Sequence, residues 1–226
     1  METCAPCAAV LAVALFLRAT PAHARSPFEE FPGLELGLHL GVAHPGGPVG
    51  GGSAATTPTV GAVAPTWVPL GLDAGLRLLP HVYMGATVDW GPTIEHSLGD
   101  CFECNVASDL QLGGEVRFYL APTHLLDPWL SLGAGWESLH LALGSVATSS
   151  ATYDGPVLAA LKVGLDVRSQ AIAVGPYFGV SFGEYLSRSL DPAPPGETSE
   201  VGARAVHEWF VLGLRGAFGP YVTGKP

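Results

Sequence analysis

Charge is what this 226-residue chain has least of: Asp, Glu, Lys and Arg make up 13% of it, about half the roughly 25% of an ordinary soluble domain. Bases are the rarer sign, with 10 Lys and Arg against 20 Asp and Glu, a formal net charge of −10 and no basic run. That balance makes nucleic acid a poor partner. Past residue 24 no apolar stretch reaches the length of a membrane-spanning helix. Cysteine is scarce at 4 residues. What the chain has in quantity is hydrophobic residues (48%), 30 Gly and 20 Pro, with a mean hydropathy of +0.34. Disorder is excluded by the apolar content, and a helical or collagen-like chain by the amount and spacing of Gly and Pro. The length fits one all-β barrel or sandwich.

At the amino terminus, Ala8–Leu17 is apolar throughout and is followed by Ala22-His23-Ala24. As a helix this run would rise about 15 Å, half of a bilayer core, which is the pattern of a secretory leader. Residues 1–24 are therefore read as a signal peptide cut before Arg25, and 25–32 as a short periplasmic segment. Cys4 and Cys7 precede the apolar run and would leave with the leader. An exported chain without a spanning helix can cross a membrane only as a closed barrel.

From residue 33 the chain keeps returning to a period of two, the signature of strands. Eight segments show it: Gly33 to Ala43, Trp67 to Leu78, Val82 to Trp90, Asp109 to Leu120, Trp129 to Ser138, Val157 to Arg168, Ala171 to Gly183 and His207 to Phe218. In the first, Leu34, Leu36, Leu38, Leu40 and Val42 oppose Glu35, Gly37, His39 and Gly41; in the sixth, Val157, Ala159, Leu161 and Val163 oppose Lys162 and Gly164. Long connections, roughly His44–Thr66, Gly91–Ser108, Leu139–Pro156 and Glu184–Val206, alternate with short ones, Leu79–His81, Ala121–Pro128 and Ser169–Gln170. Short turns at one end and long loops at the other are the layout of outer-membrane barrels.

Alternation alone does not say which face is inside; the polar face decides. Were it solvated it would be rich in Lys, Glu, Thr and Gln. Instead it carries glycine, among others at Gly37, Gly71, Gly75, Gly113, Gly135, Gly175 and Gly213, a residue kept in strands where space is short. Its charges nearly match: Glu35, Asp73, Asp89, Glu115, Glu137 and Asp166 against Arg77, Arg117, Lys162, Arg168 and Arg215, with His39 among them. A buried ionic network has to be close to neutral, because an unpaired charge there costs several kcal/mol. An eight-stranded barrel has an interior just wide enough for side chains to fill. The polar face is thus assigned to a crowded lumen and the aliphatic face to lipid. Aromatics gather near strand ends, Trp67, Trp90, Trp136, Phe182 and Phe210 toward the loops and Phe118, Trp129 and Phe218 toward the turns, as two interfacial girdles.

The fold expected is therefore an all-β, eight-stranded antiparallel up-and-down transmembrane barrel over residues 33–218, with a tail at 219–226. In this pattern the chain resembles the small outer-membrane barrels of the OmpA-transmembrane-domain, OmpX and OmpW group. The last strand carries the most specific likeness. Phe210, Leu212, Gly213, Leu214 and Phe218 resemble the carboxy-terminal signal that the barrel-assembly machinery recognises, although here Gly219 to Pro226 follow the terminal aromatic. The resemblance implies residence in the bacterial outer membrane, with outer-membrane lipid and, during biogenesis, the assembly machinery as partners, and a monomer as the favoured state. It also implies, through OmpW, a narrow conduit for ions or small hydrophobic molecules as an alternative.

Few constellations point to chemistry. Cys101 and Cys104 lie in the second long loop as Cys-Phe-Glu-Cys. A short disulfide pinning the loop is the plain reading in an oxidising compartment. A metal site helped by His96, Asp100 and Glu103, redox catalysis and free thiols are the other readings. Ser138 and His140 would share the outer face of the fifth strand, which raises an outer-membrane lipid hydrolase, but Glu137 points the other way and no acid is at hand to orient the His. The glycines at 46–47 and 50–52 are not followed by Lys-Ser or Lys-Thr, so they read as linker. No cofactor and no catalytic residue are inferred. The function expected is structural or interactive, through the external loops.

Overall fold

Strands whose residues alternate between lumen and lipid need a partner on both edges, and ring closure supplies it. The computed structural model describes residues 33–50, 59–64, 66–93, 107–143, 149–169, 171–191, 198–201 and 204–219. The leader at 1–24, the segment at 25–32, the tail beyond Gly219, and Cys101 and Cys104 lie outside the described residues. The elements are β1 (Gly33–Gly46), α1 (Val60–Val63), β2 (Leu70–Leu79), β3 (Val82–Pro92), β4 (Ala107–Tyr119), β5 (Leu126–Leu143), β6 (Ser149–Arg168), β7 (Ile172–Glu184), β8 (Ser187–Asp191), β9 (Thr198–Glu200) and β10 (Val206–Phe218). Strands β1 to β7 pair antiparallel with their sequence neighbours, β7 pairs β10, and β10 pairs β1, which closes an eight-stranded up-and-down barrel.

The barrel is polar inside and apolar outside. In β1, Leu34, Leu36, Leu38, Leu40 and Val42 are exposed while Glu35, Gly37, His39, Gly41 and Ala43 are buried. Glu35 and Asp166 are 0% exposed, whereas Leu212 is 66% exposed. Glycine lets the walls approach: Gly75 faces Gly85 across β2–β3, and a Cβ at Gly75 would land on the Met84 carbonyl. Gly47, just past β1, turns the chain with φ +81°, a conformation costly for other residues.

Three details differ from the expectation. The third long connection is mostly strand, because β5 and β6 stay paired as far as Leu143 and Ser149, and the fourth contains β8 and β9. Strand β8 pairs with Ser150–Asp154 of β6, and β9 pairs with β8, so one side of the barrel is built up beyond the rim. Alternation persists in this extension, Leu139 and Leu141 inward and His140 outward, but its outward face is polar and does not read as a membrane strand. Second, Val157 faces the lumen at 5% exposure, because a register shift between Val157 and Ala159 flips the parity of β6. Third, Trp67 and Trp129 are buried, not in a girdle. Each occupies an inward parity position, and each finds an interior acceptor: Trp67 Nε1 donates to the Gly91 carbonyl at 3.0 Å and Trp129 Nε1 to Asp166 Oδ1 at 2.9 Å. Trp90, Trp136, Phe118, Phe210 and Phe218 do face outward.

Candidate functional site

The interior is organised in three tiers. Nearest the turns, β1, β2, β4 and β10 bring Glu35, Arg77, Arg117, Asp73 and Arg215 together. Glu35 Oε1 accepts from Arg215 Nη2 at 2.8 Å, Arg117 Nη1 at 3.3 Å and the Tyr119 hydroxyl at 2.5 Å, and Arg77 Nη1 lies 3.5 Å from Glu35 Oε2. Arg215 also donates to Asp73 Oδ1 at 3.0 Å and to Asp166 Oδ2 at 3.4 Å; Arg117 reaches Asp73 Oδ1 at 3.2 Å and pairs with Glu115. The guanidiniums of Arg77 and Arg168 lie 3.9 and 4.3 Å from the Tyr119 ring centroid, and Arg168 pairs with Asp127 at 2.5 Å. Three guanidiniums thus share one carboxylate, held apart by carboxylates and aromatic faces between them.

The middle tier is looser. His39 Nε2 donates to Asp89 Oδ1 at 2.5 Å and its Nδ1 lies 3.8 Å from Asp73. Lys162 Nζ stands 4.0 Å from Asp89 and 3.8 Å from Glu115. Asp89, Glu115 and Lys162 border a cavity of about 60 Å³, also lined by Thr87, Gln111 and Tyr177.

The third tier closes the loop end. Glu137 is 1% exposed and accepts from the Tyr185 hydroxyl at 2.6 Å, Trp209 Nε1 at 3.0 Å and His207 Nε2 at 3.0 Å. His207 stacks on Tyr185 with centroids 4.2 Å apart, and Trp67 meets Trp209 at 5.3 Å. Val60 of α1, Ala64, Leu139, Leu141 and Ala151 pack in the same cluster. Burial first, and then the neighbouring Glu137 and Asp109 carboxylates, push the Tyr185 hydroxyl well above its ordinary range, so it stays a donor.

All twelve residues assigned to the lumen are placed in these tiers. Tyr119, Asp127, Asp109, His207, Tyr185 and Trp209 share the interior with them without being singled out by the sequence, as does Trp67, expected in a girdle; parity marks Tyr119, Asp109 and His207 as inward, but only geometry shows their partners. On β10, Phe210, Leu212, Leu214 and Phe218 face outward, and Gly213 lies against the Tyr177 ring. Ser138 and His140 stand on the outer face of β5, where His140 Nδ1 and Thr152 Oγ1 lie 3.1 Å apart. Among the described residues no group of three or more His, Cys, Asp and Glu is arranged to hold a metal.

A closed antiparallel barrel with an ionic interior and a continuous aliphatic exterior is a transmembrane β-barrel. No protein-family model matches the chain, and no curated protein matches it. Its fold is similar to that of the outer membrane protein OprG from Pseudomonas aeruginosa, with a TM-score of 0.51, 11% identity, and 83% of this chain and 95% of that one covered. It is similar also to the outer membrane protein AlkL in lipid bilayers, with a TM-score of 0.50, 11% identity, and 92% and 99% covered. The chain therefore has the fold of the small eight-stranded outer-membrane barrels, and its apolar belt suits the bacterial outer membrane in which such barrels sit.

Proposed function

We propose that this protein is a closed-lumen, non-catalytic outer-membrane barrel that acts through its outer and loop-end surfaces, in a structural or interaction role. It enters the membrane through the barrel-assembly machinery and sits there as a monomer surrounded by lipid. The observation that carries this reading is the filling of the lumen. Arg77, Arg117, Arg215, Glu35 and Asp73 at the turn end and Trp67, Trp209, Tyr185 and His207 at the loop end are each at most 2% exposed, and the polar pocket of about 60 Å³ between them has room for a few waters. A conduit for ions needs a continuous wet path, and guanidiniums held by several carboxylates at once do not swing aside cheaply. Planar-bilayer recording of the refolded protein tests it: no discrete openings are expected, and steady single-channel steps would overturn the closed lumen in favour of a narrow conduit.

A further inference from the structure

The outer face of β4, β5 and β6 changes character at Trp136. On the turn side of it, Ala86, Gly114 and Ala134 are cross-strand neighbours in one row, and a recess of about 390 Å³ opens there between Met84, Val116, Leu132 and Leu158. These flanking side chains belong to the lipid-facing belt; Met84 and Leu132 are 54% and 53% exposed. The recess is a shallow depression open to the lipid side, and at this depth hydrocarbon is the medium that fills it. On the loop side of Trp136 the same strands carry hydroxyls. Ser108, His140, Thr152 and Ser189 form one cross-strand row and Ser138, Asp154 and Ser187 another. Neither row contains a Lys or Arg, while the opposite face of this extension is the apolar loop-end cluster of Leu139, Leu141 and Ala151.

The spacing fits one amphiphile. Ser108 is six residues from Gly114 along β4, about 20 Å of strand, and at a tilt of about 40° that is about 15 Å along the membrane normal, from the middle of a ~25 Å apolar band to just past its edge. We propose that this wall is a glycolipid site, which seats the end of an acyl chain in the recess and an uncharged sugar headgroup on the two hydroxyl rows. Ser and Thr hydroxyls both donate and accept, as sugar hydroxyls do, and neither row carries a Lys or Arg of its own to pair with a phosphate head. The proposal rests on the reading above, in that it takes the outer surface to be the working one, and it gives Ser138 and His140 a binding role.

The test is native mass spectrometry of the full chain released from phosphatidylcholine vesicles doped with either monoglucosyl diacylglycerol or phosphatidylglycerol of the same acyl chains. The wild type is expected to retain the glucolipid in preference. Retention should fall about tenfold in the Ser138→Val/Thr152→Val pair and again in Gly114→Leu, whose new Cβ meets nothing nearer than the Gly85 carbonyl at 3.7 Å. Ala134→Leu serves in its place if heat-modifiable gel mobility shows that Gly114→Leu does not fold. Equal retention of the two lipids, retention unchanged in the variants, or a lipid-free dimer overturns the proposal. Channel openings with selective retention intact would sink the closed-lumen reading alone.

Discussion

The two ends of the lumen are closed by different physics. At the turn end, Arg77, Arg117 and Arg215 surround Glu35 and Asp73, all of them nearly without solvent exposure. Such a cluster stabilises little in net terms, because desolvating each ion offsets most of the attraction, yet losing one member leaves its partners charged and alone. At the loop end Glu137, with Asp109 buried nearby, gathers three neutral or weakly basic donors, Tyr185, Trp209 and His207, inside an aromatic and aliphatic cluster. There most of the stabilisation comes from buried apolar area, and the carboxylate fixes geometry. The turn-end plug is built wholly from barrel strands and the residues between them. The loop-end plug recruits α1 and the β7–β8 connector, so it can loosen while the barrel stays intact.

The largest effect should come from breaking the ionic end. Arg215→Ala leaves Glu35, Asp73 and Asp166 short of their common partner, and a cost of about 3–5 kcal/mol is expected for a broken buried pair of this kind. Urea unfolding in lipid vesicles, followed by heat-modifiable mobility, reads it. Arg215→Lys should recover part of the loss, since the charge returns but the forked geometry does not. A cost below that of ordinary surface substitutions, within about 0.5 kcal/mol, would show that the turn-end cluster is hydrated.

Much of this architecture is legible in the chain itself, and the misses have physical causes. Strict alternation with glycine on the polar face places the strands, because lumen crowding and a lipid exterior leave few other patterns. Trp67 and Trp129 mislead because an aromatic near a strand end is read as interfacial, although their own parity points inward; the deciding fact is an interior acceptor, Gly91 or Asp166, supplied by another strand. Val157 misleads because a bulge inserts one residue without a local mark. The loop-end tier is the least legible part. Tyr185, His207 and Trp209 lie 48, 70 and 72 residues from Glu137 along the chain, and no local period ties a loop residue such as Tyr185 to a carboxylate with two strands between them.

A smaller and more local effect is expected at the other end. Glu137→Gln keeps the shape but removes the charge that three donors share, for about 1–3 kcal/mol if one donor is left unpaired. Because Tyr185 ties the β7–β8 connector to Glu137, the loss should appear as faster tryptic cleavage at Arg188 and Arg204, with barrel mobility on gels unchanged. Arg204 is already exposed, so Arg188 is the informative site. If cleavage there is as slow as in the wild type, Glu137 does not hold the connector.

The finest comparison removes one hydroxyl from each end. Tyr119 donates to Glu35 at 2.5 Å and Tyr185 to Glu137 at 2.6 Å, so the two bonds are alike in length and in acceptor. What differs is what remains. After Tyr119→Phe, Glu35 still faces Arg77, Arg117 and Arg215, and the ring stays in place for Arg77 and Arg168 to stack on; the expected cost is about 0.5–1 kcal/mol. After Tyr185→Phe, Glu137 keeps Trp209 and His207 as its donors, and the cost should approach about 1.5–2 kcal/mol, the lower part of the range for hydrogen bonds to charged groups. Matched urea titrations of the two variants measure the difference. Equal losses would mean that the arginines around Glu35 do not substitute for a missing neutral donor, and that the two plugs, despite their composition, respond to the same change in the same way.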